Sequence, residues 1–349
     1  MSESLESVAT RVVRWQASHG RSHLPWQQSR DPYRVWLSEI MLQQTQVSTV
    51  LGYYARFLER FPDVGALASA SQDEVLGLWS GLGYYSRARN LHRCAQLVVA
   101  EHGGVFPSSA ELLAKLPGIG RSTAGAIAAF CFSQRVPILD ANVRRVLTRV
   151  VGFDGDLAVA KNERALWEYA EALLPVSDLA AAMPRYTQGM MDLGAGVCTP
   201  KTPQCLICPL MGVCVAQKEG APERYPVKTR KLIRRSESWW LLLLIRLDRA
   251  VWLETRPSTG IWAGLQCAPT FPDRETAVNA AAAIAPLASL REHAAFLHVL
   301  THRDLHLHPL AIAVDHECRP SETGRWFQTT EWLQAGLPAP MRKILEDLA

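Results

Sequence analysis

The chain has 349 residues, which exceeds the usual size of a single domain and predicts two domains, each large enough for its own core. The formal net charge is only +4, and the composition is that of an ordinary globular protein. The apolar run from Trp239 to Ile245 falls far short of the roughly 20 residues that a membrane helix needs. Because the N-terminus also lacks the basic start and apolar core of a secretory signal, the sequence predicts a cytoplasmic protein without a membrane partner.

Positive charge is concentrated in one segment, from Gln217 to Arg235. Seven Lys or Arg residues there oppose two Glu residues, so the surplus of this segment exceeds that of the whole chain. Such a run is either a solvated linker or a contact to nucleic-acid phosphates. It divides the chain into an all-α part at residues 1–216, a basic linker at residues 217–235 and a second domain at residues 236–349.

The first predicted helix runs from Leu5 to about Gly20, and a single long helix is predicted from Tyr33 to Phe61. In the long helix Val35, Trp36 and Leu42 lie four residues before, three before and three after Glu39. This spacing would place the Glu39 carboxyl among apolar groups and raise its pKa. The alternative is an ordinary glutamate that faces solvent.

Two capping boxes, Ser71 to Glu74 and Ser108 to Glu111, predict the starts of two further helices. The segment GLGYYSR, Gly81 to Arg87, interrupts the first of these, and the helix continues from Ala88 to Ala100. Its tyrosines, Tyr84 and Tyr85, are either core residues or, because glycines flank them, aromatic groups that could wedge into a base stack.

The stretch from Leu116 to Asp140 combines a glycine-rich hairpin, a helix and a carboxylate. Pro117, Gly118 and Gly120 predict a turn whose backbone can approach a ligand, followed by a helix from Arg121 to Phe130. The unpaired N–H groups at the start of this helix suit a phosphate, but a plain helix-turn-helix corner has the same pattern. Asp140 is predicted to cap a helix that runs to Val150, a role that does not exclude catalysis.

Four cysteines follow two more predicted helices, Glu163 to Leu174 and Pro184 to Gly194. Six, two and five residues separate the cysteines, which are Cys198, Cys205, Cys208 and Cys214. Four thiols in one loop-rich segment predict a metal site. Zinc commonly uses two C-x-x-C pairs, so the single pair with two outlying cysteines favours an iron–sulfur cluster over zinc. The remaining cysteines are scattered and predicted to be structural.

The segment after the linker predicts an α/β domain. Two strands are expected in SWWLLLLIRL and AVWLETR, around Asp248-Arg249, and a third from His306 to Val314. Helices are expected from Arg274 to Ala285 and from Met341 to Leu348.

Taken together, the hairpin, Asp140, the cysteine spacing and SEIMLQQTQV (Ser38 to Val47) resemble the helix-hairpin-helix DNA glycosylases, and specifically the adenine DNA glycosylases of the MutY family. The resemblance covers nearly the whole chain. It implies an all-α catalytic domain with a [4Fe–4S] cluster on the four cysteines, followed by a Nudix-like α/β domain. It also implies a bacterial monomer, associated with the nucleoid, that acts on adenine opposite 8-oxoguanine or guanine in duplex DNA.

The resemblance implies catalytic roles for three residues. Glu39 matches the general acid that protonates adenine, Asp140 the carboxylate that stabilises the positive sugar, and Asn142 a residue that helps to order the attacking water. Elementary chemistry agrees with this division. Adenine is a poor leaving group until its ring is protonated, and an ionised carboxylate stabilises an oxocarbenium-like centre.

Contacts to DNA are implied in the same way. Gln44 and Tyr84 match residues that wedge beside 8-oxoguanine, and the hairpin glycines Gly118 and Gly120 are expected at the DNA backbone. The base must leave the duplex first, which costs a few kcal/mol and is easier at a mispair.

Ser122 and the second domain refine the expected activity. Endonuclease III relatives carry a lysine where Ser122 stands and use its amine for a Schiff base, which a serine cannot form. A monofunctional glycosylase is therefore expected. In the second domain no Nudix box of glutamates is visible, so binding without hydrolysis is expected. Leu300-Thr301-His302 stands where family members commonly have Phe-Ser-His, which makes Thr301 and His302 the expected 8-oxoguanine contacts.

Two other functions are compatible with parts of the pattern. One is a bifunctional glycosylase and lyase for oxidised pyrimidines, like endonuclease III. The other is a non-enzymatic iron–sulfur sensor that binds DNA. Release of free adenine would distinguish the adenine glycosylase hypothesis from both alternatives.

Overall fold

The computed structural model describes residues 2–227, 229, 233–315, 318 and 320–348, and for residues 2–7 the backbone alone. The chain forms two compact units. The first comprises Met1–Gln44, Asp63–Gly65 and Arg93–Lys231, and the second comprises Thr45–Pro62, Ala66–His92 and Leu232–Ala349. Lys228, Arg230 and Lys231 of the basic segment lie outside the described residues.

Helices occur in both units. In chain order they are α1 (Ser2–His19), α2 (Pro32–Leu42), α3 (Val47–Arg60), α4 (Val64–Ser69), α5 (Gln72–Trp79), α6 (Ser86–His102), α7 (Ala110–Leu113), α8 (Arg121–Phe132), α9 (Ala141–Val151), α10 (Ala160–Ala172), α11 (Leu179–Asp192), α12 (Val215–Lys218), α13 (Arg274–Ala282), α14 (Thr329–Trp332) and α15 (Ala339–Leu348). A π-helical segment, Leu193–Val197, continues α11. No helix in the described part of the chain has the length and apolarity needed to cross a membrane.

The core of the first unit is organised around α9. Val143, Val146, Leu147 and Val150 lie on one face at helical spacing, and all four are buried. They pack in one cluster with buried side chains of α1, α10 and α11. Burying each such side chain contributes roughly 1.5–3 kcal/mol. Asp140, the N-cap of α9, lies three residues before the first member of this stripe, so the packing of α9 fixes where that carboxylate lies.

The prediction of one helix from Tyr33 to Phe61 is wrong. The helix ends at Leu42, and α3 begins at Val47 after a break that contains Gln44 at φ +58°. An α-helix cannot continue through a residue in the left-handed region. Periodicity did not reveal the break because the intervening residues are polar and fit either a helix surface or a loop.

The hairpin before α8 contains one residue in the left-handed region. Gly118 has φ +77°, whereas Gly120 has φ −81° and is the N-cap of α8. Gly120 therefore does not need a positive φ, although the space where its Cβ would stand is open. The preceding helix, α7, is capped by Ser109 and not by Ser108 as predicted: the Ser109 hydroxyl accepts from Leu112 N at 3.3 Å.

The second unit contains an eight-stranded sheet, which confirms the α/β prediction. Its strands are β1 (Arg235–Arg246), β2 (Val251–Thr255), β3 (Gln266–Cys267), β4 (Thr270–Phe271), β5 (Arg291–Glu292), β6 (Phe296–Val299), β7 (Arg303–Val314) and β8 (Gly324–Phe327). The order is β3-β2-β1-β7-β5, while β4 pairs with β1, β6 with β7 and β8 with β2. Strands β1 and β7 are parallel, from Arg235 opposite Arg303 to Arg246 opposite Val314. The five strands that the sequence did not predict have two to four residues, too few for a clear alternation.

Candidate active site

Glu39 lies on α2 at the wall of a cavity of about 350 Å³ in the first unit. Asp31 starts the helix by accepting from Tyr33 N at 2.9 Å, with Pro32 in the first turn. Val35 and Trp36, the apolar neighbours predicted for Glu39, are fully buried. The remaining lining comes from α1, α8, α11 and the loop before α2.

Loss of hydration, together with a smaller contribution from the negative charge of Asp140, raises the pKa of Glu39 to about 8. The residue keeps some contact with the cavity while protein surrounds its carboxyl. At neutral pH most Glu39 side chains therefore carry a proton. The prediction of a raised pKa is confirmed, and the alternative of a solvent-facing glutamate does not hold.

Asp140 caps α9, as predicted: its Oδ1 accepts from Val143 N at 2.7 Å. Burial raises the pKa of Asp140, but hydrogen bonds from the N–H groups of Val143 and Asn142 oppose this shift, as do the charges of Arg145 and Arg144. Each of these groups favours the ionised carboxylate. The two carboxyl groups thus have different environments. That of Glu39 favours the protonated acid, whereas that of Asp140 also contains groups that stabilise the anion.

The chain that leads into Asp140 is held by α8. Ser122, in the first turn of α8, accepts from Leu139 N at 2.9 Å through its hydroxyl. One turn further, a Cβ added at Gly125 would lie only 2.5 Å from Pro137 O. The segment before Asp140 therefore lies against the backbone of α8, and Ser122 is a fixed part of this contact.

Two arginines of α9 that the sequence analysis did not single out connect this region to the cysteine loop. Arg145 donates to Asn142 Oδ1 at 2.8 Å, to Gly194 O at 2.6 Å and to Cys198 O at 2.8 Å. Arg149, which is 2% exposed, donates to Cys198 Sγ at 3.2 Å and to Thr199 O at 2.7 Å. In the sequence, an arginine that becomes buried on a helix face cannot be distinguished from one that faces solvent. The helical pattern of α9 therefore does not reveal this link.

The four predicted metal ligands lie around one small cavity. The cysteines are unpaired and partly buried, and they share this cavity with Arg149 and Gln217. Within the described residues no three His, Cys, Asp or Glu side chains converge closely enough to hold a single metal ion. The thiols surround a space and do not meet at a point.

The second unit brings Tyr84 and Thr301 together across 217 residues of sequence. Their hydroxyl oxygens lie 2.6 Å apart in a hydrogen bond. Tyr84 has φ +47° and is 43% exposed, so it is not a core residue. Tyr85 behaves differently, because its hydroxyl donates to Leu337 O at 2.8 Å. Tyr84 therefore does not fit the core alternative, and Tyr85 is a half-buried residue held by this hydrogen bond.

Tyr84, Thr301 and His302 line a second cavity of about 620 Å³, together with Trp262 and His298. The guanidinium of Arg87, which the sequence did not single out, lies over the Tyr84 ring at 5.4 Å and the Trp79 ring at 5.2 Å. It also donates to Leu82 O and Gly83 O. These contacts hold the turn that carries Tyr84. Gln44, in contrast, is exposed at the break between α2 and α3.

The helix entered through a glycine hairpin, the two carboxylates in unlike environments and the four-cysteine loop are the features that the resemblance to helix-hairpin-helix DNA glycosylases led us to expect. Residues 37–172 match the HhH-GPD superfamily of base excision DNA repair proteins, and residues 240–347 match the NUDIX domain. The adenine DNA glycosylase of Buchnera aphidicola subsp. Acyrthosiphon pisum is 37% identical over 348 residues, 96% of either chain. The chain therefore belongs to the adenine DNA glycosylase family.

Other relatives agree with this assignment. The human adenine DNA glycosylase is 44% identical over 210 residues, 58% of this chain and 38% of the human protein. A thermostable thymine-DNA glycosylase of known structure is 25% identical with a TM-score of 0.54, covering 62% of this chain and 98% of that one. A trapped endonuclease III–DNA intermediate has the same fold at 20% identity and a TM-score of 0.52, covering 63% of this chain and 98% of that one. The predictions of a DNA-binding base excision repair enzyme and of its two folds are confirmed.

Proposed function

We propose that the protein releases adenine from duplex DNA in which the adenine lies opposite 8-oxoguanine or guanine, using Glu39 as general acid. The observation that carries this proposal is the pKa of about 8 at Glu39, on the wall of a cavity of about 350 Å³. That volume lies in the range of small-molecule pockets and suits one extruded base. A carboxyl that stays protonated at neutral pH can protonate the purine ring and so make adenine a leaving group.

Asp140 acts next in this scheme. As the glycosidic bond lengthens, positive charge develops on the sugar, and the Asp140 carboxylate stabilises it. Contacts with Val143 N and the arginines of α9 favour the ionised form. Asn142 orders the attacking water together with Asp140. Its Oδ1 accepts from Arg145, which leaves the amide N–H groups to face the water.

Ser122 supports a monofunctional reaction. Its hydroxyl is engaged with Leu139 N at 2.9 Å, and a hydroxyl cannot form the imine that a lyase requires. Borohydride treatment during turnover should therefore trap little covalent protein–DNA complex. Efficient trapping on a substrate with an oxidised pyrimidine would favour the bifunctional alternative.

We propose a [4Fe–4S] cluster on Cys198, Cys205, Cys208 and Cys214. Thiols that surround a cavity without converging on one point suit a polynuclear centre better than a single zinc ion. The guanidinium of Arg149 beside Cys198 Sγ compensates negative charge at the thiolates. When bound, such a centre supplies iron–thiolate bonds that fix the loop. Iron and acid-labile sulfide analysis tests this, and stoichiometric zinc would overturn it.

Recognition of 8-oxoguanine is proposed at the cavity lined by Tyr84, Thr301 and His302. Hydroxyl and imidazole groups can pair with the extra donor and carbonyl of the oxidised base, and Tyr84 and Gln44, both exposed, are available to wedge into the stack. The helix α13 of this domain has a single glutamate, Glu275, and is otherwise rich in alanine, with Ala277 and Ala281 buried in the core beside the sheet. Binding without hydrolysis follows.

The hairpin is proposed to bind the DNA backbone. Gly118 and Gly120 bring main-chain N–H groups to the start of α8, a helix of twelve residues with its positive end there. We further propose a monomer that works in the bacterial cytoplasm at the nucleoid, with no membrane partner.

A panel of duplexes tests the proposal. Adenine is placed opposite 8-oxoguanine, guanine, cytosine or thymine, and release is followed under single-turnover conditions. We expect rapid release opposite 8-oxoguanine, slower release opposite guanine and negligible release opposite thymine. Equal rates for all four partners would refute the proposed mispair specificity.

A further inference from the structure

The wall of the Glu39 cavity contains a side-chain amide, that of Gln188, whose orientation is fixed by a hydrogen bond to a buried carboxylate. Gln188, on α11, is buried and lines the cavity. Its Nε2 donates to Asp192 Oδ1 at 2.8 Å, one helical turn further on. Asp192 is 3% exposed and accepts from Arg21 twice, from the main-chain N at 3.0 Å and from Nε at 2.8 Å.

These contacts decide which atom of the Gln188 amide faces the cavity. A carboxylate that is paired with a guanidinium can only accept hydrogen bonds, so the amide nitrogen must face Asp192. The carbonyl oxygen is then the atom left for a ligand. In the described part of the chain no group donates to Gln188 Oε1. The cavity therefore presents an acceptor at this position.

The purine bases differ in what they offer at this edge. Adenine presents the N7 acceptor and the N6 amino donor, whereas guanine presents two acceptors, N7 and O6. Hypoxanthine shares the N7 and O6 acceptors of guanine. A protonated Glu39 can donate to N7 of any purine, but the Gln188 carbonyl matches an amino group and opposes a keto oxygen.

We propose that Asp192, held by Arg21, is a positioning residue that fixes the Gln188 carbonyl toward the base and so makes the cavity select 6-amino purines over 6-keto purines. This inference rests on the proposed release of adenine at Glu39. Asp192 lies behind the amide and acts through Gln188 without touching the base. The same charge that stabilises the fold with Arg21 thereby sets the base preference.

The test compares two substrates that differ at one position. Single-turnover release is measured from duplexes with adenine or hypoxanthine opposite the same 8-oxoguanine. In the wild type we expect a preference for adenine on the order of tenfold to a hundredfold, as for one well-placed hydrogen-bond contact to a base edge. In Asp192→Asn the new amide can donate to Gln188 Oε1, which lets the Gln188 N–H groups turn toward the base. The preference should fall by about tenfold.

Two further variants make the test specific. Asp178→Asn is the matched control, because Asp178 is an exposed aspartate at the start of the same helix and should keep the wild-type preference. Gln188→Met removes the acceptor itself and should lower the preference as well. In the Gln188→Met background, adding Asp192→Asn should leave the preference unchanged, because the proposed route through the amide is gone.

The outcomes separate the possible failures. If Asp192→Asn slows both substrates by one factor, or if its effect on the preference persists in the Gln188→Met background, the positioning role is refuted. Should Asp192→Asn fail to fold because it disrupts the pair with Arg21, an unchanged preference in Gln188→Met would refute the inference alone. If the wild type released no adenine opposite 8-oxoguanine, the proposed function would fail first and the inference with it.

Discussion

The cavity around Glu39 and the cavity around Tyr84 differ in how their walls are built. Four helices, α1, α2, α8 and α11, contribute to the first, and its key groups are held by buried partners. The second is lined largely by loops, with Gly81, Gly83, Tyr84, Gly260 and Trp262 at positive φ. Side chains on packed helices are held more rigidly than those on loops.

This difference suits the two tasks that we propose for the cavities. Proton transfer needs a carboxyl with low hydration and a fixed position, which helices supply at the cost of burying a titratable group. Reading a base inside a duplex needs exposed aromatic and hydroxyl groups, which a loop can present. Changes at the first cavity should therefore affect rate, and changes at the second should affect the choice of mispair.

The largest expected effect is at Glu39. Glu39→Gln keeps the side-chain shape but removes the transferable proton, so adenine release should fall by about 10²–10⁴-fold while DNA binding is retained. Single-turnover release and a binding isotherm measure the two quantities. Glu168→Gln, an exposed glutamate on α10, is the matched control and should behave as wild type. Unchanged release in Glu39→Gln would refute its role as the acid.

The same substitution, Glu39→Gln, should increase the stability of the protein even though it lowers the rate of adenine release. The pKa of Glu39 is about 8 in the folded protein against an ordinary value of 4.5. Because the pKa of Glu39 is higher in the folded state, the folded protein binds the Glu39 proton more tightly than the unfolded chain does. The free energy of unfolding is therefore highest below pH 4.5, where both states are protonated, and it decreases as the pH rises toward 8. Glu39→Gln should therefore be more stable than wild type at pH 8, on the order of 2–4 kcal/mol, with the gap narrowing toward pH 5. Urea denaturation at both pH values measures this, and a gap independent of pH would contradict it.

The pH dependence of the rate gives a third comparison. Release should be insensitive to pH when the pH is about one unit or more below 8, and should fall by about tenfold per unit above 8, as Glu39 loses its proton. The preference for 8-oxoguanine over guanine should stay constant across this range, because Glu39 belongs to the first cavity. A preference that changes in parallel with the rate would show that the two tasks are not separate.

The hydroxyl pair of the second cavity should control specificity. Tyr84→Phe or Thr301→Val breaks one hydrogen bond, which corresponds to about threefold to tenfold in an equilibrium. We expect the preference for 8-oxoguanine over guanine to fall by that factor while the rate opposite guanine changes little. Tyr85→Phe removes the hydroxyl of the neighbouring tyrosine and is the control. An equal loss opposite both bases would assign the pair to stability instead.

The smallest expected effect is at Ser122. Ser122→Ala leaves Leu139 N without its partner and should lower the free energy of unfolding by about 1 kcal/mol. Release should slow by only a few-fold, since the backbone of α8 still supports the segment before Asp140. Thr123→Ala, on the next residue of α8, serves as a comparison in the same two assays. A loss as large as that of Glu39→Gln would indicate a direct part in the reaction.

Much of the first cavity could be predicted from local sequence. The apolar neighbours of Glu39 follow from helical spacing, and the cap at Asp140 follows from its place before a helix, because both depend on residues within a turn or two. The break at Gln44 could not be predicted, since polar residues suit both a helix surface and a loop. The spacing of the four cysteines likewise indicated a metal-binding loop without revealing that two arginines of α9 hold it.

The sequence by itself determined most of the long helices, the two domain types, the candidate acid Glu39, the helix-capping carboxylate Asp140 and the cysteine loop. Only the tertiary structure decided which distant side chains support them: Asp192 behind Gln188 with Arg21 171 residues away, and Thr301 beside Tyr84 217 residues away. Local patterns follow from the geometry of one element, which repeats every few residues. Contacts between elements depend on how whole helices and loops pack, and that information is spread over the chain.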